Sequence, residues 1–291
     1  MRKSLITTAV LGALIAPSFV FAADAAPAPD LTVAYNVGLY SQYIFRGLTQ
    51  TNRKPALQGG VDLTHSSGLY AGAWASNVDW TVDSGSYKSQ SLELDLYGGY
   101  RYNFGDTGIG IDVGALQYIY PGTRNNTAGT SVRAPSADTT EVYAALNYGW
   151  VQAKISDVVS SHAWGVGKVA GTGENARGTY YAELNATIPL SDLMGAKEGY
   201  ASGITGIAHI ARQEFSGDRA NTNQGYKNSD ASYTDYKLGL QKAFINGVNV
   251  GAFWSKANTL SQNAGNAVWQ YASTGKNIGE STGTVYIQKT F

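Results

Sequence analysis

The stretch Ser91–Tyr102, SLELDLYGGYRY, constrains what this chain can fold into more than any other. Its alternate residues form two sets: Leu92, Leu94, Leu96, Gly98, Tyr100 and Tyr102 against Ser91, Glu93, Asp95, Tyr97, Gly99 and Arg101. Successive side chains of an extended strand point to opposite faces, so this is a strand with one apolar and one polar face. The same pattern recurs along the whole chain, with long and short connections taking turns. A two-faced sheet in hydrocarbon must close on itself, because a free edge leaves backbone groups without partners. The pattern therefore predicts an all-β fold, a transmembrane antiparallel up-and-down β-barrel with lipid outside and water inside.

Composition fits that reading. Charged residues are 14% of the chain, below the roughly 25% of a soluble domain. Gly numbers 35 and Tyr 20, and mean hydropathy is slightly negative. Strands that are half lipid-facing and half wet give this balance. No run past the N-terminus approaches the roughly 20 apolar residues of a transmembrane helix. There is no cysteine, hence no disulfide framework and no thiol chemistry.

Met1–Ala22 has the form of a secretory signal, with basic Arg2 and Lys3, an apolar run Leu5–Val20 and the small-residue end Val20-Phe21-Ala22. The run is short for a span and Pro17 interrupts it, so cleavage is expected rather than anchoring. Removing Arg2 and Lys3 takes the 21 basic residues to 19 against 21 acidic ones, a balance without a nucleic-acid signature. Residues 23–30, with Pro27 and Pro29, read as a short periplasmic spacer, and residues 31–291 as the barrel.

Twelve strands are expected: Leu31–Gln42, Ala56–Thr64, Leu69–Ser76, Ser91–Tyr102, Gly108–Tyr120, Thr139–Tyr148, a seventh from Val151, Thr179–Ile188, Gly203–Gln213, Tyr233–Lys242, Val248–Ala257 and Gly283–Phe291. The phase of the ninth is the least clear. Connections after odd-numbered strands are long: Tyr43–Pro55, Asn77–Gln90, Pro121–Asp138, Asp157–Gly178, Glu214–Ser232 and Asn258–Thr282. Those after even-numbered strands are short: His65–Gly68, Asn103–Thr107, Gly149-Trp150, Pro189–Lys197 and Ala243–Gly247. Short periplasmic turns and long outer loops are the habit of outer-membrane barrels, and an even strand number puts both termini in the periplasm. Tyr100, Tyr102, Phe104, Tyr148, Trp150 and Phe244 gather at the short turns as an aromatic girdle. The terminal Phe291, after outward Val285 and Ile287, resembles the signal read by the barrel assembly machinery. Lys289 departs from the apolar residue usual two places before the end, and at an interface a lysine can snorkel.

Asn36–Trp80 carries a family resemblance. Its features are Tyr43-Ile44-Phe45-Arg46-Gly47, then Pro55-Ala56-Leu57-Gln58-Gly59-Gly60, then Ser67-Gly68-Leu69-Tyr70-Ala71-Gly72 with Trp74 and Asn77. Asp235-Tyr236-Lys237-Leu238-Gly239 matches a later block. The segment resembles the opening of the TorF-type porin family, also described as the Gcw_chp domain of unknown function. The resemblance implies an outer-membrane barrel of a Gram-negative bacterium and names no substrate. Genes of that family often sit beside those of an ammonium transporter and its regulator, which implies a link to nitrogen uptake.

Catalysis finds little support. The three histidines are His65 in a tight turn, His162 in a long loop and His209 in the ninth strand, and no Gly-x-Ser-x-Gly elbow is present. Gly171-Thr172-Gly173 is followed by no helix, so it reads as a loop rather than a phosphate cradle. The histidine count and the lack of cysteine leave no metal cluster, and no cofactor is expected. The chemistry that remains is a set of inward charges: Asp62, Glu93, Asp95, Asp112, Glu141, Glu183 and Asp235 against Arg101, Lys154 and Lys237, with Arg46 placed at the mouth. These residues predict a narrow passive channel for small polar solutes, weakly cation-selective and embedded in outer-membrane lipid. The rival expectation is a non-conducting barrel with a structural or loop-mediated binding role. Oligomeric state stays open.

Overall fold

The computed structural model describes residues 30–126, 134, 136–166, 175–196, 198–216, 220–221, 226–259, 269–270 and 275–291. Residues 1–29, which hold the expected signal and most of the expected spacer, and Gly171-Thr172-Gly173 lie outside them. Twelve strands form one closed barrel: β1 Leu31–Tyr40, β2 Ala56–His65, β3 Leu69–Asn77, β4 Leu92–Asn103, β5 Ile109–Ile119, β6 Thr139–Tyr148, β7 Val151–Val158, β8 Tyr180–Ile188, β9 Ile204–Glu214, β10 Tyr233–Ala243, β11 Val248–Ala257 and β12 Thr282–Thr290. Every neighbouring pair is antiparallel, and β1 pairs with both β2 and β12. The seam closes in the register Asn36↔Thr290 to Tyr40↔Tyr286. Beyond it the Phe291 amide donates to the Tyr35 carbonyl at 2.9 Å, so the last residue of the chain helps close the barrel.

The period-two phase sorts side chains as the alternation dictates. Leu31, Val33, Tyr35, Val37 and Leu39 of β1 are exposed on the outer face, while Asn36 and Tyr40 are buried inside. In β9, Ile207, Ala211 and Gln213 point inward with His209, and Ile210 and Arg212 point out. That settles the one phase the sequence left unclear.

Inward glycines and tyrosines face each other across the strands. Tyr70 opposes Gly99, Tyr97 opposes Gly72, Tyr143 opposes Gly114 and Tyr286 opposes Gly251. Each phenol ring lies against its glycine: a Cβ on Gly72 would meet the Tyr97 ring at 2.5 Å, and one on Gly114 the Tyr143 ring at 2.7 Å. Glycine here is a recess that lets a ring lie flat on the wall instead of standing in the lumen, a form of cross-strand pairing. The abundance of both residue types follows from this packing.

One boundary is corrected. The connection after β8 runs over residues 189–203, not Pro189–Lys197, and holds a one-turn helix, α1, Leu190–Leu193. A second one-turn helix, Trp80–Asp83, lies in the second long loop. The first long loop folds inward. Its residues Tyr43, Ile44, Phe45 and Leu48 are buried, because four apolar side chains gain more from the lumen than from water.

Gly72→Ala forces the Tyr97 ring off the wall and is expected to cost about 1–3 kcal/mol, as overpacking does. Gly283→Ala is the control, since its Cβ would meet nothing within 4 Å. The temperature at which the folded band of an unheated sample gives way on a gel should fall for the first and hold for the second.

Candidate functional site

The inward-folded first loop builds a hairpin inside the barrel. Ile44–Phe45 pairs with Leu48–Thr49, and Arg46 and Gly47 form the two-residue turn with φ of +47° and +77°. Two successive left-handed residues are the signature of the tight hairpin turn that matches strand twist. Gly47 is required twice over: by that φ, and because a Cβ would lie 2.6 Å from the Asp235 Cβ of β10. Arg46 holds the same conformation without glycine's freedom, which costs free energy that its side chain must offset.

The offset is visible. The Arg46 guanidinium donates to both Glu141 carboxylate oxygens at 2.9 and 2.8 Å and to Gln213 Oε1 at 2.9 Å. It also lies 4.1 Å from the Tyr181 ring centroid, 4.9 Å from Phe45 and 5.0 Å from Trp164. A bidentate pair with three aromatic faces around it is what a planar, weakly hydrated cation favours in a buried site. Arg46 is therefore buried inside the barrel, against the long-loop ends of β6 and β9, and the hairpin reaches from the β1–β2 side to β6, β9 and β10. The Tyr43 hydroxyl at its base donates to Glu93 at 2.7 Å, and Tyr118 donates to Glu141 at 3.0 Å.

Other inward charges pair along the wall. Arg101 Nε donates to Asp112 at 2.9 Å directly across β4 and β5, and Tyr70 donates to the same carboxylate at 2.6 Å. Lys154 lies 3.9 Å from Glu183, directly across β7 and β8. Asp62 accepts from Tyr97 at 2.6 Å. Asp235 accepts from Tyr181 at 2.9 Å and lies 3.0 Å from His209 Nε2, while Asn185 Oδ1 lies 2.6 Å from His209 Nδ1. Lys237 sits 5.0 Å from the Phe253 ring centroid. Glu93 and Asp95 project from one strand near the hairpin, and Asp95 Oδ1 is buried with no hydrogen-bond partner among the described residues.

Among the described residues, two interior cavities flank the hairpin. One of about 40 Å³ is lined by Arg46, Gly47, Glu183, His209, Asp235 and Lys237 among others. The other, about 10 Å³, touches Tyr40, Tyr43, Gln58 and Lys237. These spaces suit single waters, not solutes. Of the remaining histidines, His65 pairs with Ser67 in its turn and His162 with Ser161 in its loop, both far in sequence from the lumen cluster.

Phe291 lies at the end of the barrel where the short turns are. It is exposed on the outer face, with the Lys289 ammonium 5.4 Å from its ring. Lys289 itself reaches the Asn246 carbonyl in the neighbouring turn. Sequence reasoning missed Tyr43, Phe45, Trp164, Tyr181 and Gln213. The usable signal was the apolar cluster around Arg46-Gly47, which is out of place in a loop exposed to water.

A closed barrel with an apolar exterior, an aromatic rim and a charged interior defines an outer-membrane β-barrel protein. Residues 24–291 match the family model Gcw_chp, described as a bacterial protein of unknown function, and the chain belongs to that family. Among solved structures it is similar to the KdgM porin, with 7% identity, 89% of this chain and 98% of that one covered, and a TM-score of 0.46. The NanC porin gives 10%, 89%, 99% and 0.45. An outer membrane channel from Pseudomonas putida F1 gives 12%, 92%, 100% and 0.43. No curated protein matches at a significant level.

Arg46→Ala leaves the Glu141 carboxylate buried without its countercharge, which costs about 3–5 kcal/mol. The hairpin can escape that cost by leaving the lumen. Amide exchange over residues 43–50 should therefore accelerate by at least tenfold while the barrel strands stay protected. Pairing Arg46→Met with Glu141→Met should restore most of the protection. An unchanged exchange rate in the single variant would remove the ion pair as the latch.

Proposed function

We propose that the protein is a narrow passive channel for small polar solutes in the outer membrane, with the first-loop hairpin as its constriction. The observation that carries this reading is the lumen itself. Its wall carries paired charges and buried amides beside an apolar cluster that Ile44 and Phe45 of the hairpin join with Trp74, Leu116 and Ile207, and what narrows it is that loop, held by side-chain contacts, rather than the barrel wall. On this reading the short turns and both termini face the periplasm, residues 1–22 are a cleaved signal and residues 23–30 a spacer. Terminal Phe291 serves recognition by the assembly machinery, and the outer face meets lipid. The second reading, a non-conducting barrel with a structural or binding role, is favoured by the small volume left beside the hairpin.

Planar bilayers separate the two. Purified protein should give small unitary currents, and Arg46→Ala should raise the unitary conductance severalfold by freeing the hairpin. No conductance from either protein favours the non-conducting barrel. Liposome swelling over small nitrogenous and sugar solutes then gives the solute class.

The charges support a weak cation preference. Arg46, Arg101 and Lys154 each pair with an acid, which leaves Asp62, Glu93, Asp95 and Asp235 with fewer bases between them. A surplus of carboxylates in a low-dielectric passage concentrates cations. Glu93→Gln with Asp95→Asn should roughly halve the cation-to-anion permeability ratio measured from reversal potentials. The preference should also fade as salt rises towards 1 M, where the screening length is about 3 Å. Anion preference in the unmodified protein would exclude this assignment.

A further inference from the structure

We infer that the β8–β9 connection is a membrane-surface anchor, a foot lying in the headgroup–acyl boundary of the lipid at the turn end of the barrel. The inference rests on the membrane-embedded reading above. It starts from the one turn that breaks the pattern of tight reversals at that end, residues 189–203.

The chain leaves β8 on the lipid-facing side. Leu190 covers Gly206, whose position would bring a Cβ to 3.2 Å from Leu190 Cδ1. Gly206 belongs to the outward set of β9, since its neighbour Ile207 is in the interior cluster and Ile210, four residues on, is exposed outside. The segment thus folds against the outer wall and not under the lumen.

It is pinned there. Ser191 Oγ donates to the Ala201 carbonyl at 2.7 Å and accepts from the Ile204 amide at 2.5 Å. Lys242, on the outward set of β10, donates from its ammonium to the Tyr200 and Ser202 carbonyls at 2.5 and 2.9 Å. A lysine on the lipid-facing wall carries its charge to where hydrocarbon gives way to water, so Lys242 marks that boundary. Lys289 marks it again on β12 through the Asn246 carbonyl.

At this level the pinned segment presents Leu193, 68% exposed, Met194, 63%, and Tyr200, 99%. Tyr148 and Trp150 of the β6–β7 turn and Phe244 of the β10–β11 turn continue the same rim. Apolar side chains held rigidly in this way gain nothing from the barrel. Their continuity with the lipid-facing wall and the aromatic rim identifies lipid as the occupant, as for interfacial amphipathic segments elsewhere.

The chain has no cysteine, so single spin labels can be placed without background. Met194→Cys would be labelled in phosphatidylethanolamine/phosphatidylglycerol vesicles. Its collision rates with oxygen, which partitions into lipid, and with a water-soluble nickel chelate would be compared by power saturation. Leu184→Cys on the outer wall and Ser84→Cys in the second long loop are the references, and unheated gel mobility confirms each barrel. The oxygen-to-nickel ratio at Met194 should exceed that at Ser84 severalfold and approach that at Leu184. A Met194 ratio equal to that of Ser84 overturns the anchor in favour of an aqueous surface. Low collision rates with both reagents overturn it in favour of a protein partner. If Leu184 itself reads as aqueous, the membrane-embedded reading falls and the anchor with it. If Leu184 reads as lipid and Met194 does not, the anchor alone falls.

Discussion

The structure depends on backbone closure. In hydrocarbon a backbone group without a partner costs several kcal/mol, so a spanning sheet has to join its last strand to its first. Here β1 and β12 do so over a short register, extended by the Tyr35–Phe291 hydrogen bond. Once the ring is closed, side-chain direction is no longer free. Every second residue must be tolerable to lipid, and the polar half of each strand is driven into a space bounded by twelve strands.

That crowding explains the interior. Buried polar groups must satisfy one another, or the barrel loses what closure gained. Two solutions recur. Charges pair with the residue directly opposite on the next strand, as Arg101 does with Asp112 and Lys154 with Glu183. Phenols lie flat over opposing glycines, with their hydroxyls directed at carboxylates such as Asp62 and Asp112. Glu141 and Glu93, each 1% exposed, have no charged residue directly opposite, facing Leu116 and Ser76. Beyond a phenol from the wall side, Tyr118 for Glu141 and Tyr120 for Glu93, each takes a donor from the first loop: Arg46 for one and Tyr43 for the other. The hairpin thus meets two needs, burying its own apolar residues and supplying partners for carboxylates that the wall leaves short.

Much of this was legible in sequence. Strand positions and faces follow from period two, because that signal is local and each strand repeats it. The opposing-glycine packing was not legible, since Gly72 and Tyr97 become neighbours only through register. The turn after β8 was misjudged because Leu190, Leu193 and Met194 carry no strand or turn signature, and their role depends on the wall beside them. The inward fold of the first loop was missed for the same reason. The Arg46–Glu141 contact joins residues 95 positions apart, and a loop's destination is not written in any periodicity. What the sequence did contain was an anomaly: Tyr43, Ile44, Phe45 and Leu48 in a long connection between strands.

The placement of Arg46 also bears on how passage and charge are linked. A constriction built from the barrel wall has a fixed electrostatic character. One built from a hairpin latched to Glu141 carries its own countercharge, so the narrow state hides a carboxylate that the released state exposes. Withdrawal of the hairpin would widen the lumen and add negative charge near Glu93 and Asp95 in the same movement. On the channel reading proposed above, conductance and cation preference would not be independent, because a single buried ion pair would hold both.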